Sequence, residues 1–316
     1  MKVLACILNW RTADMTAHAL DLLVPQLRAL GAARVIVVDN DSQDGSFEKL
    51  AGHVARHGYH DVAEVVASGR NGGFGFGNNV ALRRGLEGPD PPDYFYLLNS
   101  DAAPRAGALQ AITDYADRNP QVGIAGTTVL DTGGRPQTSA FRFPSVRSEL
   151  AQMLSYGPVS ALLADALVPL PIPSHTTTGV DWVAGASMLL RRTMLEQIGV
   201  FDETFFLYYE ETDLCLRAKR AGWHVAYVRE GEVEHIGGAS TGVASHTVFA
   251  KPMPEYVFAS RRHYFLKNYG RAVLWQANLA HAVGGAGFRV LTKLGKRDHH
   301  RPREWIDGVL YNLKHP

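Results

Sequence analysis

The sequence is short of cysteine, with two in 316 residues, Cys6 and Cys215, each inside an apolar run (VLACIL and DLCLR). That excludes a disulfide framework and points to buried free thiols in a reducing cytosol. No stretch approaches the roughly 20 uninterrupted apolar residues of a membrane-spanning helix. The opening MKVLACILNW reads as a strand, with too short an apolar run for a secretory signal and no small-residue cleavage site behind it. A cytoplasmic protein is expected, soluble or lying on the inner face of the cytoplasmic membrane. Net charge is lacking too: 32 basic against 31 acidic side chains leave +1, so no global field asks for a nucleic acid partner. Internal repeats and low-complexity tracts are also missing.

What is present is a regular alternation. Val3 to Leu8 is a continuous apolar run ended by Asn9, Ala17 to Leu30 carries apolar residues at helical spacing, and Arg34 to Asp39 is a second short apolar run. This predicts a βαβ unit with parallel strands. A helix near Ser46 to His57, a strand at Val62 to Ala67, a helix beginning near Asn78 and a strand at Tyr94 to Leu98 continue it. The fold class expected is α/β, a sheet between helices, with ligands beyond the carboxyl ends of the strands. Further on, the pattern gives a helix at Ala106 to Arg118 and a strand at Val122 to Val129. A loop with a short helix follows at Leu150 to Pro173, then a strand at Trp182 to Arg191, a helix from Glu210 to Ala221, and strands at Val225 to Val228 and Val233 to His235. Beyond residue 250 the chain turns helical and basic, with a charge of about +8.

Five constellations carry chemistry. VVDNDSQDGS, Val37 to Ser46, ends a strand in short polar side chains that can bond a base or ribose, or simply make a turn and cap the next helix. SGRNGGFGFGNN, Ser68 to Asn79, has glycines that allow a ligand close to the backbone, or form a flexible loop. Its position after the third strand argues against the dinucleotide fingerprint of a dehydrogenase, which follows the first. YFYLLNSDAAP delivers Asn99, Ser100 and Asp101 to a strand end, where one carboxylate suffices for a cation shared with a diphosphate. The alternative is that Asp101 caps a helix starting near Arg105, with Pro104 in its first turn. Glu210, Glu211 and Asp213 crowd one helix start behind the aromatics Phe205, Phe206, Tyr208 and Tyr209. Adjacent carboxylates raise one pKa, which suits a general base, and an acidic first turn also complements the helix dipole. The aromatics suggest a wall for a sugar ring. His235, in VEHIGGAS, is either a structural histidine or a metal ligand.

In this order the five blocks resemble the family-2 inverting glycosyltransferases of GT-A fold, especially the bacterial rhamnosyltransferase branch, over roughly residues 1 to 270. The resemblance implies a mixed, mainly parallel sheet in a catalytic domain at 1–250, with a nucleotide-sugar half at about 1–104 and an acceptor half at about 105–250. A basic helical extension at 251–316 follows. It implies that Asn9, Asp39, Asn40, Asp41, Arg70, Asn71, Gly73 and Asn78 line the donor pocket, and that Asn99, Ser100 and Asp101 form the DxD-like triplet. Trp182, Gly185 and Ala186 would lie beside the transferred sugar. Glu211 stands where the family places its base, with Glu210 and Asp213 as neighbours, and His235 where it places a metal-binding histidine. Mg2+ or Mn2+ is the implied cofactor, dTDP-L-rhamnose the donor, and a glycan or lipid-linked saccharide the acceptor. Two departures stand out: the triplet is Asn-Ser-Asp with a single carboxylate, and the base position holds glutamate, leaving Glu210 and Glu211 as rivals. The alternatives are a transferase of the same fold using a UDP- or GDP-linked sugar, and a protein that binds a nucleotide sugar without catalysis. The basic extension suits either an anionic membrane with a lipid-linked acceptor, or packing on the catalytic domain or a second subunit.

Overall fold

The computed structural model describes residues 2–237, 253–294 and 302–315. The chain begins with β1 (Val3–Asn9), α1 (Ala13–Leu30), β2 (Ala33–Asp39), α2 (Ser46–Arg56), β3 (Ala63–Ala67), α3 (Gly73–Glu87) and β4 (Tyr94–Asn99). Then come β5 (Ala102–Pro104), α4 (Ala108–Arg118), β6 (Val122–Leu130), β7 (Pro136–Gln137), β8 (Ala140–Phe141), α5 (Val146–Leu154) and α6 (Gly157–Leu162). The remainder is β9 (Trp182–Val183), β10 (Ser187–Arg191), α7 (Arg192–Ile198), α8 (Glu210–Arg220), β11 (His224–His235), α9 (Glu255–Lys293) and α10 (Pro302–Lys314). One sheet runs in the order β3-β2-β1-β4-β10-β6-β11-β5, with β7 on β6, and β8 pairs with β9 apart from it. Pairings among β1 to β4 and between β6 and β11 are parallel, while β10, β5 and β7 run antiparallel to their neighbours. The α/β expectation holds, as a mixed, mainly parallel sheet between helices.

Burial on both faces explains the unbroken apolar strands. In β1, Val3, Ala5 and Ile7 pack with Leu20, Leu23, Val24 and Leu27 of α1, while Leu4 and Cys6 turn to the other face with Leu82 of α3 and Leu214 and Cys215 of α8. Both cysteines are free and buried, and burial raises each thiol, that of Cys215 to about 12.

The glycine stretch is not a loop ahead of a helix at Asn78. It forms the first turns of α3, starting at Gly73. Glycine weakens a helix, but close packing requires it here: a Cβ on Gly77 would stand 2.3 Å from Leu8 Cδ1, and one on Gly73 1.8 Å from the carbonyl oxygen of Phe206. Gly73 also has φ +89°, in the left-handed region. Gly73→Ala should therefore cost about 3 kcal/mol in urea denaturation. A loss below about 1 kcal/mol would mean that the 206 segment moves aside freely.

Three other expectations change in detail. The strand expected over 182–191 is broken at 184–186, where Ala184 N–H donates to Ser139 and the Ala186 carbonyl accepts from Asn99 N–H. The two strands expected at 225–228 and 233–235 are one, β11, irregular opposite β6 between Val228 and Glu232. The segment 150–173 contributes the end of α5 and then α6, and α5 packs on α9 through Gly284, where a Cβ would meet Met153 at 2.7 Å.

The extension shares a core with the rest: Tyr264, Phe265, Leu274 and Ala277 pack with Phe205 and Leu216. Arg261 donates to Glu149 at 3.1 Å and to Asn278 at 2.8 Å, both inside the protein. Of the tail's cations, Lys251, Lys296, Arg297 and Arg301 lie outside the described residues.

Candidate active site

The carboxyl ends of β1 and β2 are tied together by a buried polar network. Asn9 Nδ2 donates to Asp39 Oδ1 at 2.6 Å, Ser42 Oγ donates to the same oxygen at 2.6 Å, and Thr16 Oγ1 donates to Asn9 Oδ1 at 2.8 Å. With their polar atoms so engaged, Asn9 and Asp39 hold the loop that presents Asn40. That residue donates to Asn71 Oδ1 at 3.1 Å and to the Gly73 carbonyl at 3.2 Å. Its own Oδ1 is buried without a hydrogen-bond partner.

Asp101 is not a helix cap. Ala102–Pro104 is a strand, paired antiparallel with β11 in the register His235↔Ala102, and α4 starts only at Ala108 behind Gly107. Pro104 suits this sheet-edge strand, where a missing N–H costs least. The pairing sets His235 Nε2 3.1 Å from Asp101 Oδ1, and Asn99 Nδ2 lies 3.4 Å from the same ring nitrogen. Thr12 Oγ1 donates to Ser100 at 2.8 Å and so anchors the triplet to the start of α1.

Glu210 and Glu211 open α8. Before them Tyr208 and Tyr209 both take left-handed backbone, φ +68° and +70°. Two consecutive residues there are strained, and such strain persists where the surroundings enforce it. The backbone amide of Gly185 lies by the Glu211 carboxylate and favours its anion, which gives the break at 184–186 a purpose. Both carboxyls are raised above the usual carboxylate range, first by burial, and Glu210 also by the charge of Glu211. A carboxyl with a raised folded-state pKa keeps its proton in the folded chain at pH values where the unfolded chain has released it. Stability is then lost as pH climbs from the unfolded value through the folded one. The metal-free protein should therefore melt at lower temperature as pH rises above about 5, and Glu210→Gln should flatten that fall in a series of thermal melts.

These elements enclose a cavity of about 570 Å³, within the range of small-molecule sites. Asn40, Asn71, Gly73, Asn99, Ser100, Asp101, Gly185, Ala186, Glu210, Glu211 and His235 all line it. Asn9, Asp39, Asp41, Arg70, Asn78, Trp182 and Asp213 do not. Asp41 accepts from Gln43, Asn78 donates to the Phe74 carbonyl, and Arg70 lies over the Phe76 ring at 4.5 Å. Trp182 stacks on Phe141 at 4.1 Å and donates to the Arg142 carbonyl. Asp213 is bound by Arg217, Lys267 and Asn268, and so ties α8 to α9. Of the four aromatics, Phe206 and Tyr208 reach the cavity, while Phe205 and Tyr209 pack against the extension.

The sequence reading missed Trp10, Phe74, Pro254 and Tyr256 in the lining. Trp10 directly follows Asn9 at the end of β1 and could have been found by position. Tyr256 comes from α9 and sits 5.4 Å from Phe206 by ring centroids, a long-range contact with no local signal. Three buried oxygens without a partner, Asn40 Oδ1, Glu210 Oε2 and Glu211 Oε2, belong to lining residues. Buried polar atoms are ordinarily satisfied, so these suit a bound polar ligand.

Asp101 and His235 offer an anionic oxygen and an imidazole nitrogen side by side. That pair suits a divalent cation whose other positions go to phosphate oxygen and water. Among the described residues no third acid, histidine or cysteine joins them, the one larger group being Asp21, His53 and His57, none of which lines the cavity.

A mainly parallel sheet with this polar cavity at its carboxyl edge defines a glycosyltransferase of GT-A type. Residues 3–251 match the family described as Glycosyltransferase like family 2. Over 245 residues the chain is 32% identical to the N-acetylglucosaminyl-diphospho-decaprenol L-rhamnosyltransferase of Mycobacterium tuberculosis, covering 72% of this chain and 75% of that one. It is also 32% identical to the rhamnosyltransferase WbbL of Escherichia coli, over 49% of this chain and 58% of that one. Among solved structures, a mannosyltransferase from Pyrobaculum calidifontis in complex with GDP-Man and Mn2+ superposes with a TM-score of 0.55 at 14% identity, covering 99% of this chain and 85% of that one. The chain belongs to glycosyltransferase family 2, in its rhamnosyltransferase-like branch.

Proposed function

We propose that the protein transfers L-rhamnose from dTDP-L-rhamnose to a hydroxyl of a glycan or lipid-linked saccharide in cell-surface polysaccharide synthesis, with inversion at the anomeric carbon. It would work in the cytoplasm or at the inner face of the cytoplasmic membrane. The observation that carries this reading is the pairing, in one cavity, of a raised-pKa carboxylate at Glu211 with the Asp101–His235 pair. Relatives named as rhamnosyltransferases support the choice of sugar.

In this reading Asn40 and Asn71 hold the base and ribose, and Gly185 N–H aims Glu211 at the acceptor. Glu211 removes the proton from the acceptor hydroxyl as its oxygen attacks the anomeric carbon and the nucleoside diphosphate departs. Asp101 and His235 would hold Mg2+ or Mn2+, which when bound offsets charge on the diphosphate. Phe206, Tyr208 and Tyr256 exclude water from the sugar.

A thermal-shift screen of nucleotide sugars with Mn2+, Mg2+ or a chelator tests the donor, since a ligand at 100 times its Kd adds about 2.7 kcal/mol. The largest shift should come from dTDP-L-rhamnose with metal, accompanied by slow donor hydrolysis that the chelator stops. A larger shift from a UDP- or GDP-linked sugar would reassign the donor. Binding without hydrolysis or transfer would favour a non-catalytic binding protein.

A further inference from the structure

The long helix α9 is interrupted at Gly270, whose φ of +83° and ψ of 174° are not helical. Up to the break the helix belongs to the catalytic core. Beyond it, Leu274, Ala277, Gly284 and Phe288 are buried, Gly284 against Met153 and Gly285 against Trp305 of α10. That face is accounted for. The opposite face carries Trp275, Leu279, Val283, Val290 and Leu294, each at least half exposed. At about 100° per residue these five fall in one sector roughly 100° wide.

Charge is arranged to match. Residues 271–294 contain no aspartate or glutamate, and their three cations are Arg271, Arg289 and Lys293. All three are exposed and lie on one border of the apolar sector, Arg289 over the Trp305 ring at 5.0 Å. A solvated helix does not collect five large apolar side chains on one face, and a helix packing on another protein has no reason to shed every acid. An apolar stripe with a basic flank is the pattern of a helix lying in a bilayer interface. No helix among the described residues is long and apolar enough to cross a membrane.

We infer that this face docks on an anionic lipid surface, its apolar stripe sunk among the headgroups and Arg271, Arg289 and Lys293 against lipid phosphates. The same helix supplies Tyr256 to the cavity, and from there to Tyr269 it runs roughly 20 Å. Docking therefore holds the cavity within reach of an acceptor carried by a lipid. That consequence rests on the glycosyltransferase reading, while the docking itself does not.

The test is flotation of the full chain with vesicles of phosphatidylglycerol and phosphatidylcholine in equal parts, compared with phosphatidylcholine alone. Binding should be at least about tenfold tighter to the anionic vesicles and should fall as salt is raised. Trp275→Glu, Leu279→Glu and Val283→Glu together should cut it at least about tenfold at unchanged Tm, and Arg271→Gln with Lys293→Gln should weaken it without altering the apolar face. Failure of the wild type to float, equal binding by both variants, or a wild-type dimer that the glutamate variant splits would overturn the inference, the last giving the face to a second copy. Flotation needs no nucleotide sugar and donor hydrolysis needs no vesicle, so the two readings fail separately.

Discussion

Glu211→Gln is expected to lower sugar transfer by about 10³-fold while leaving nucleotide-sugar binding within about twofold of wild type. The substitution keeps shape and an acceptor oxygen for the Gly185 N–H, so the loop at 184–186 has no reason to move. What disappears is the capacity to take a proton. Glu210 is the rival, with its carboxyl also in the cavity lining and also raised by burial. The two differ in their support. Each carboxyl is met by its own backbone amide, but Glu211 is also met by that of Gly185, whereas burial and the charge of Glu211 both favour the protonated form of Glu210. Glu211 is then the better placed of the two to carry the negative charge, and the two carboxyls titrate as a pair. Glu210→Gln should therefore be the milder change, and it should leave the acid limb of the pH–rate profile in place, because a carboxyl held protonated has no charge to remove. Equal losses in the two variants would mean that the pair acts as a unit. Full activity in Glu211→Gln would end its assignment as the base.

The opening of the fold was readable because its signals are local. The apolar runs of β1 and β2 and the helical spacing of α1 need only a window of about ten residues, and the strand ends gave most of the cavity lining. The glycines at 73, 75 and 77 misled because composition says loop while packing against Leu8 and Phe206 imposes a helix. The contact of Gly73 with Phe206 spans more than a hundred residues of chain. Trp182 and Asp213 show the same limit: each sits beside lining residues in sequence, yet a stack on Phe141 and bonds from Lys267 turn them into supports. Tyr256 is the converse, a lining residue contributed by an extension that reads as merely basic and helical.

Asp101→Ala should reduce metal-dependent transfer by about 10³-fold, a loss of about 4 kcal/mol in transition-state stabilisation. The size follows from the triplet. Asn99 stands where a second acid could have been, so no neighbouring carboxylate can take over the cation. His235→Ala should be gentler, on the order of 10- to 100-fold, and partly restored by more metal, because a neutral imidazole adds a ligand but no charge. The helix-capping role that would have made Asp101→Ala a folding defect is ruled out by geometry, since β5 and Gly107 separate it from α4. One structural role does remain. The Asp101 carbonyl accepts from Ile236 N–H, and its carboxylate meets His235, so this residue also helps seat β5 on β11. The backbone bond survives substitution by alanine, and the side-chain contact can be followed separately by melting the protein without metal. A large loss of transfer with an unchanged metal-free Tm identifies a metal ligand. A loss below about tenfold, or one that tracks a fall in Tm, would leave Asp101 as the clasp between two strands and pass the diphosphate to other groups in the cavity.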